Sequence, residues 1–579
     1  MKTLLKQLGP YRGSIVLIVT LMLAGIMLEL YLPTLMADLV DTGIAGEDMP
    51  YILRTGGWML VCALLAAGLT IVVSYLTSRV SAGFGRDVRR KLFVKAEGLS
   101  LQEFDRFGTS SLITRTTNDI RQVQDVVNMM LGMMTRAPMM LLGGIILAVS
   151  RDAKLSLIFL ASLPVLALAI FLIVRVAIPL FGSLQAKTDR LNLLLREALI
   201  GTRVIRAFNR GEFEKRRFHE ANEDYRDTGI KVNKIMAVLF PIMMLVMNFT
   251  NVSIVWFGAV RLDQGEMQVG NLMAFLQYAG MILFSLIMLS MAMVMIPRAQ
   301  ASARRINEVL QVSSSIQDSP SGGNQDQTAS EAAPILEFKD VAFRYTGAEK
   351  AAVERVSFRV NKGETTAIIG STGAGKTTLL QLVPRFYDAE TGSVLVNGRD
   401  VRQWPQKELR DLIGYVPQKA MLFRGTIAQN IRFGNGPVDD QVLEDALRIS
   451  QAKDFVNAME RGAESEISQA GSNLSGGQKQ RLSIARALAR KPALYLFDDS
   501  FSALDYKTDA RLREALKEAS RHAAVVMVAQ RVSSVVHADQ IIVLDEGRVV
   551  GKGTHDELLA TNKVYQEIAA SQQTEEESA

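Results

Sequence analysis

Gly370-Ser371-Thr372-Gly373-Ala374-Gly375-Lys376-Thr377 decides how the second half of this chain reads. Glycines at 370, 373 and 375 let successive backbone N–H groups turn inward as an anion nest. A helix starting directly behind the loop adds the positive end of its dipole. Lys376 can reach the outer phosphates of a nucleotide, the Thr377 hydroxyl is placed for Mg2+, and Thr378 completes the cradle. Such a loop needs a strand before it and a helix after it. The apolar run Thr365–Ile369 supplies the strand, and helical character resumes at Leu379. With further strands expected over 335–338 and 341–345, this half reads as an α/β nucleotide-binding domain.

The first half has a different character. At 579 residues the chain is too long for one core. Its hydrophobic content is 49%, clustered before about residue 310 in runs long enough to cross a bilayer, each needing about 20 residues. Six spans are expected over 14–36, 56–83, 126–149, 153–178, 236–260 and 268–296, giving an all-α membrane domain. Short segments join spans 1–2, 3–4 and 5–6, whereas Arg86–Asp125 and Lys187–Lys234 are long and charged. These long connections are rich in Lys and Arg, and the first short loop carries Glu47 and Asp48. The positive-inside rule then places both termini and both long connections in the cytoplasm, with the spans in the cytoplasmic membrane.

Residues 1–310 carry a net charge of roughly +10 and the remainder roughly −4, so the basic excess lies beside the bilayer. No alternation of aromatic and basic residues points to base stacking, and nucleic acid is not an expected partner. The single cysteine, Cys62, precludes an intrachain disulfide, and none of the four histidines has metal-ligand spacing. The first apolar run is too long for a cleaved signal and is followed by Glu29 and Asp38.

Within the long connections, Leu199, Val204, Ile205, Phe208 and Phe213 recur at helix-like intervals. The membrane helices are therefore expected to continue past the bilayer, the alternative being solvated linkers. Methionines cluster in span 3 (Met129, Met130, Met133, Met134, Met139, Met140), span 5 (Met243, Met244, Met247) and span 6 (Met288, Met291, Met293, Met295). They fit an adaptable apolar cavity or ordinary packing and lipid contact. Among ionisable residues inside spans, Glu29 is either functional or a helix–helix hydrogen-bonding group, with Asp38 and Arg175 nearer span ends.

The expected domain limits are 1–311 for the membrane domain, 312–334 for a Ser/Gly/Gln/Asp-rich linker, 335–571 for the nucleotide-binding domain and 572–579 for an acidic, disordered tail. Downstream of the loop come Tyr415-Val416-Pro417-Gln418, Leu474-Ser475-Gly476-Gly477-Gln478 and the apolar strand Leu494-Tyr495-Leu496-Phe497-Asp498. A strand ending in a carboxylate suits an acid that holds Mg2+.

With these motifs in this order, the chain resembles the ATP-binding-cassette (ABC) exporters over nearly its whole length. The resemblance implies ATP and Mg2+ as ligands, with Thr377, Gln418 and Asp498 around the metal and Gln418 sensing the γ-phosphate. It implies Tyr345 stacking on adenine, although a buried strand tyrosine is the rival reading. It implies Leu474–Gln478 as the signature that completes a partner chain's site, Ser502–Asp505 as the D-loop, and coupling helices in the long connections. Two half-transporters would dimerise, each with six spans and one cassette.

Three positions depart from the family's pattern. Asp499 stands where the family has a Glu general base, and Gln530 where it has His; Gln469 replaces a Glu of the cross-talk loop. A carboxylate shortened by one methylene is withdrawn by roughly 1.5 Å, and a misplacement of about 1 Å can cost on the order of 10²-fold in rate. The amide of Gln530 carries no positive charge and shuttles no proton. Drift at tolerant positions is the bland alternative. The expectation is one half of a heterodimeric exporter of small amphipathic, multidrug-type compounds, holding a degenerate ATP site and paired with a non-identical half-transporter. Translocation of lipid or lipid-linked substrates is the nearest alternative. An ATP-gated channel or regulatory subunit comes from another class, uptake is a third possibility, and a cargo-processing peptide exporter is disfavoured because no protease domain precedes span 1.

Overall fold

The computed structural model describes residues 1–318, 333–434 and 438–576. Most of the expected linker and the last three residues of the expected tail lie outside these. The chain forms two compact units, Met1–Glu97 with Gly108–Val312, and Gly98–Phe107 with Ser313–Ala579.

The first unit is helical. Among the described residues six helices are long and apolar enough to cross a membrane: Thr3–Ile44, Met49–Glu97, Thr109–Arg151, Leu157–Ile200, Gly211–Asp263 and Val269–Leu289. The second and fifth contain 49 and 53 residues. At about 1.5 Å per residue they reach roughly 73 and 80 Å, far beyond a hydrocarbon core of about 30 Å. The helices thus continue past the bilayer. Between the fourth and fifth, Thr202–Ala207 forms a separate short helix, broken from its neighbours at Gly201 and around Asn209. Apolar residues in and around it are outward: Ile200 is 80% exposed, Phe208 75% and Val204 60%. Apolar side chains along the spans, such as Trp58, Leu64, Leu160 and Trp256, are likewise exposed, as contact with lipid requires.

Glu29 takes the helix–helix hydrogen-bonding alternative, and does so as a charged pair. Nη2 of Arg136, on the third span, donates to both of its carboxylate oxygens at 2.6 and 2.7 Å. Arg136 is absent from the ionisable span residues anticipated above, and it is the one that matters for Glu29. Two further pairs, Arg151 with Asp38 at 3.7 Å and Arg261 with Asp152 at 2.8 Å, lie near span ends.

The second unit is built on a six-stranded sheet ordered Arg548–Gly553, Gln540–Asp545, Thr365–Gly370, Ala524–Val528, Leu494–Asp498, Ile413–Val416. All neighbours pair in parallel except the antiparallel edge strand Arg548–Gly553. A sheet covered on both faces requires nearly continuous apolar strands, and Leu494–Asp498 is buried at every position. Successive residues serve opposite faces. Ala367 and Ile369 join one apolar cluster with the helix Gly476–Leu488, while Ile368 joins the other with the antiparallel sheet Val353–Val360, Leu336–Phe343, Thr391–Val396, Arg399–Asp400.

The first expected domain differs from the observed unit by an excursion. Gly98–Phe107, inside the first long connection, belongs to the nucleotide-binding unit. Leu101 packs on the apolar cluster of that unit, Tyr387 donates to Asp105 at 3.3 Å, and Gln102 donates to Thr346 at 2.6 Å. Burial raises the Glu103 carboxyl, but hydrogen bonds from Ser100 and Ser315 outweigh it and hold the group below the usual range. At the other end, the last helix continues through Glu576, so the first residues of the expected tail are helical.

Candidate nucleotide site

Parallel strands deliver their C-terminal ends to one edge of the sheet, where open α/β folds bind ligands. Four adjacent strands of this sheet end in expected site residues. Thr365–Gly370 runs into the glycine-rich loop, Ala524–Val528 precedes Gln530, Leu494–Asp498 ends at Asp498 and Asp499, and Ile413–Val416 precedes Gln418.

The loop is held open by its glycines. Gly373 and Gly375 have φ of +87° and +94°, a region that side chains disfavour. A Cβ on Gly375 would lie 2.4 Å from the Ala352 carbonyl oxygen, and one on Gly370 2.0 Å from that of Leu544. Lys376 opens the helix Lys376–Leu382, and its ammonium donates to the carbonyls of Gly370 and Ser371 at 2.8 Å each. Burial depresses its pKa, while the charges of Asp499 and Asp498 counteract. This ammonium satisfies itself on its own loop and is poised to exchange those carbonyls for an anion.

Beside it the Thr377 hydroxyl donates to Asp498 at 2.9 Å. Asp498 is 2% exposed, and burial raises its pKa, with Asp499 adding to the shift and Thr377 and Lys376 opposing it. A buried carboxylate costs free energy unless compensated. A hydroxyl oxygen paired with that carboxylate is the hard-oxygen set a Mg2+ ion takes, so the residues fit the metal.

Asp499 is arranged differently. It is 8% exposed, with φ of +48°. One oxygen, Oδ2, accepts from two other expected site residues: Gln530 Nε2 at 2.7 Å and Gln418 Nε2 at 3.2 Å. The structure thus brings Gln418, Asp499 and Gln530 together, with the carboxylate tied down by two neutral amides. A residue that sequence reasoning passed over fixes the Gln530 segment. Gln572, in the final helix, donates to the Gln530 carbonyl and accepts from the Val532 N–H, both at 2.7 Å. In the sequence it is one of several polar residues in what reads as a tail, and nothing there singles it out.

Tyr345 sits edge-on against Phe343 and Tyr387, and its hydroxyl lies 3.0 Å from that of Thr378. It is 36% exposed, so it is not a buried strand tyrosine. The signature stands apart. Ser475 caps the helix Gly476–Leu488 in a reciprocal box with Gln478, and Ser475 and Gly476 are exposed. Asp505 caps Tyr506–Ala519 by accepting from the Thr508 N–H at 3.0 Å. Gln469 is exposed beside Ala470, whose φ is +54°.

Two family descriptions match this chain: the ABC transporter transmembrane region over residues 15–307 and the ABC transporter over 353–502. The chain belongs to the ABC transporter family. An uncharacterized ABC transporter ATP-binding protein of Mycobacterium tuberculosis (strain CDC 1551 / Oshkosh) is 41% identical over 575 residues, covering 98% of each chain. Another of Bacillus subtilis (strain 168) is 37% identical over 572 residues, 99% of this chain and 98% of that one. An ATP-dependent lipid A-core flippase of Vibrio parahaemolyticus is 28% identical, covering 98% and 97%. The fold is that of a bacterial Atm1-family ABC exporter solved with ATP bound, with a TM-score of 0.81 at 24% identity over 97% of this chain and 98% of that one. This ABC half-transporter therefore fuses a six-helix multi-pass membrane domain to its ATPase domain, and it is a transport ATPase.

Proposed function

We propose that this chain is the degenerate-site subunit of a heterodimeric exporter of amphipathic compounds. The carrying observation is Asp499, whose Oδ2 is occupied by the amides of Gln530 and Gln418. A general base must approach the proton it takes to within about 2.6–3.2 Å. A short side chain held back by two neutral donors is poorly placed to do so, and Gln530 supplies no charge to the developing anion.

The phosphate-holding part supports binding. Backbone N–H groups of Gly370–Thr378 and the Lys376 ammonium would hold the phosphates of ATP, Tyr345 would flank the adenine, and Thr377, Asp498 and Gln418 would hold Mg2+. That ion, when bound, supplies charge neutralisation at the phosphoryl group. The cap at Ser475–Gln478, exposed at Ser475 and Gly476, would complete the site of a second, non-identical half-transporter, and Gln469 would face it in cross-talk. The exposed apolar tip around Ile200, Val204 and Phe208 supports docking on a second chain, because solvent-exposed apolar clusters mark interaction sites. Both termini would be cytoplasmic.

Phosphate release from the chain reconstituted alone, and together with its co-encoded partner, tests this reading. Slow hydrolysis alone and fast hydrolysis together are expected; fast hydrolysis by the lone chain refutes it. A second reading, translocation of lipid or lipid-linked substrates, is favoured by the likeness to the flippase, and flipping of a labelled lipid in proteoliposomes would favour it over drug export.

A further inference from the structure

We infer that the Glu29–Arg136 pair is the head-group half of an intramembrane site for a zwitterionic amphipath, and that a methionine-lined cavity beside it holds the tail. The inference rests on the exporter reading above and names its substrate class.

Arg136 engages Glu29 through Nη2 alone, which reaches both carboxylate oxygens. A pair built only for structure tends toward the fork-to-fork arrangement, with two nitrogens on two oxygens. Here Nε and Nη1 have no hydrogen-bond partner among the described residues, and each Glu29 oxygen keeps a free lone pair. The side chains are 31% and 22% exposed, although both lie in expected membrane spans. They are exposed to a cavity of about 210 Å³ between the first three spans. Thr77 lines the same cavity, and its hydroxyl, in a residue 3% exposed, also lacks a partner among the described residues. Uncommitted donors, an acceptor and an orphaned hydroxyl converge where a polar group in lipid is costly.

The volume is below the roughly 300–1,000 Å³ of drug-sized sites, and suits a head group. A second cavity of about 510 Å³ adjoins it, sharing Arg136 and Met288. Met140, Met247, Met281 and Phe284 line it, a wall of flexible thioethers that adapts to varied apolar shapes. A charged hinge between a small polar cavity and a larger apolar one matches a charged head on an apolar tail.

Charge balance selects the head. The internal pair is neutral. A purely anionic head bound to Arg136 displaces Glu29 and leaves one negative charge uncompensated, and a cationic head leaves the reverse. A head with both signs exchanges one internal pair for two external ones with no orphan, and breaking a pair in a low-dielectric setting is what costs most.

The test uses the full chain in nanodiscs, without ATP or partner, and three tail-diazirine probes of equal chain length: a lysophosphocholine, a lysophosphatidylglycerol and an alkyltrimethylammonium. The wild type is expected to label about tenfold better with the zwitterion than with either other probe. Glu29→Gln should shift preference to the anionic probe and Arg136→Gln to the cationic one, while the double exchange Glu29→Arg with Arg136→Glu retains the zwitterion. Met281→Trp, which fills the tail cavity and leaves the pair intact, should lower labelling by all three. Label incorporated from diacyl phosphatidylcholine in the disc, against lysophosphocholine added from solution, separates a lipid from a soluble source. Equal labelling by the three probes, or labelling per folded molecule unchanged in the single variants while their melting temperatures fall, overturns the proposal and leaves a structural clamp. Because labelling needs no turnover, intact labelling of the lone chain together with no ATP-driven probe movement by the two-chain assembly in proteoliposomes would remove the exporter reading and leave the site.

Discussion

If the site is degenerate as proposed, replacing Asp499 by Glu and Gln530 by His in this chain alone should raise its ATPase rate. In the present structure the Asp499 carboxylate ends one methylene short of a glutamate, and its Oδ2 is held by amides at 2.7 and 3.2 Å. The added methylene advances the carboxylate by roughly 1.5 Å, and recovering a misplacement of about 1 Å is worth on the order of 10²-fold, or about 2.7 kcal/mol of barrier. Histidine at 530 adds a group that can carry charge, with general acid–base effects of about 10²-fold at most in the poorer geometry expected here. The signature, Leu474–Gln478, is already intact, with Ser475 and Gly476 exposed, so two copies of the double variant supply everything each site needs. Phosphate release in nanodiscs, with Lys376→Ala as the blank, should rise about 10²-fold for Asp499→Glu and further for the pair. Asp499→Asn should leave the wild-type rate within about twofold, because a tied-down carboxylate contributes little. If the wild-type chain alone already turns over at rates typical of enzymes, about 1–10³ per second, and Asp499→Glu changes nothing, the reasoning fails at its first step.

Other consequences are separable by assay. Gly375→Ala should abolish ATP binding and lower cassette stability, since its φ is +94° and the new Cβ would lie 2.4 Å from the Ala352 carbonyl; nucleotide binding by equilibrium dialysis and a thermal melt read both. Gly477→Ala meets the Ala503 carbonyl at 3.1 Å, so it should slow hydrolysis in the two-chain assembly while ATP binding to this chain alone is unchanged. Tyr387 is pushed up to about 12 by burial, chiefly, and by Asp105, against 10.0 for the free group. The unfolded chain loses that proton first, so stability drains as pH rises from about 10 to 12; Tyr387→Phe should flatten this part of a pH-dependent melt. Gln572→Ala should raise amide hydrogen exchange at Val532, whose N–H is held by Gln572 at 2.7 Å, with the sheet's core amides unaffected.

The glycine-rich loop and its strand were legible because their chemistry is local: a turn with φ near +90° admits little but glycine, and a strand covered on both faces must be apolar. Asp499 and Gln530 were legible as departures, but not their contact, which depends on two parallel strands ending side by side. Gly98–Phe107 was lost among charged neighbours, because one anchoring leucine and a few hydrogen bonds leave no periodic trace. Arg136 is plain in the sequence, in an otherwise apolar run, and a partner for Glu29 on another helix has no sequence spacing to reveal it. What failed in the last three cases was pairing across elements, which tertiary structure alone fixes.

These four cases also bear on how the chain divides its work. The groups that bind phosphate are satisfied internally by bonds that exchange readily: Lys376 on loop carbonyls and Thr377 on Asp498. The groups that would break the bond are satisfied by bonds that immobilise: Asp499 between two amides, and the Gln530 backbone strapped by Gln572. A ligand's phosphates can replace the first kind at little cost, whereas freeing Asp499 requires losing two hydrogen bonds, each worth about 1.5–3 kcal/mol when an ionised group is involved. If drift alone had acted, such locking would be expected to loosen along with the chemistry. Loosening Gln530 by Gln572→Ala therefore distinguishes the two accounts: a built hold predicts that the variant changes nucleotide retention by the lone chain, measured as the ATP off-rate, whereas drift predicts an off-rate equal to the wild type's.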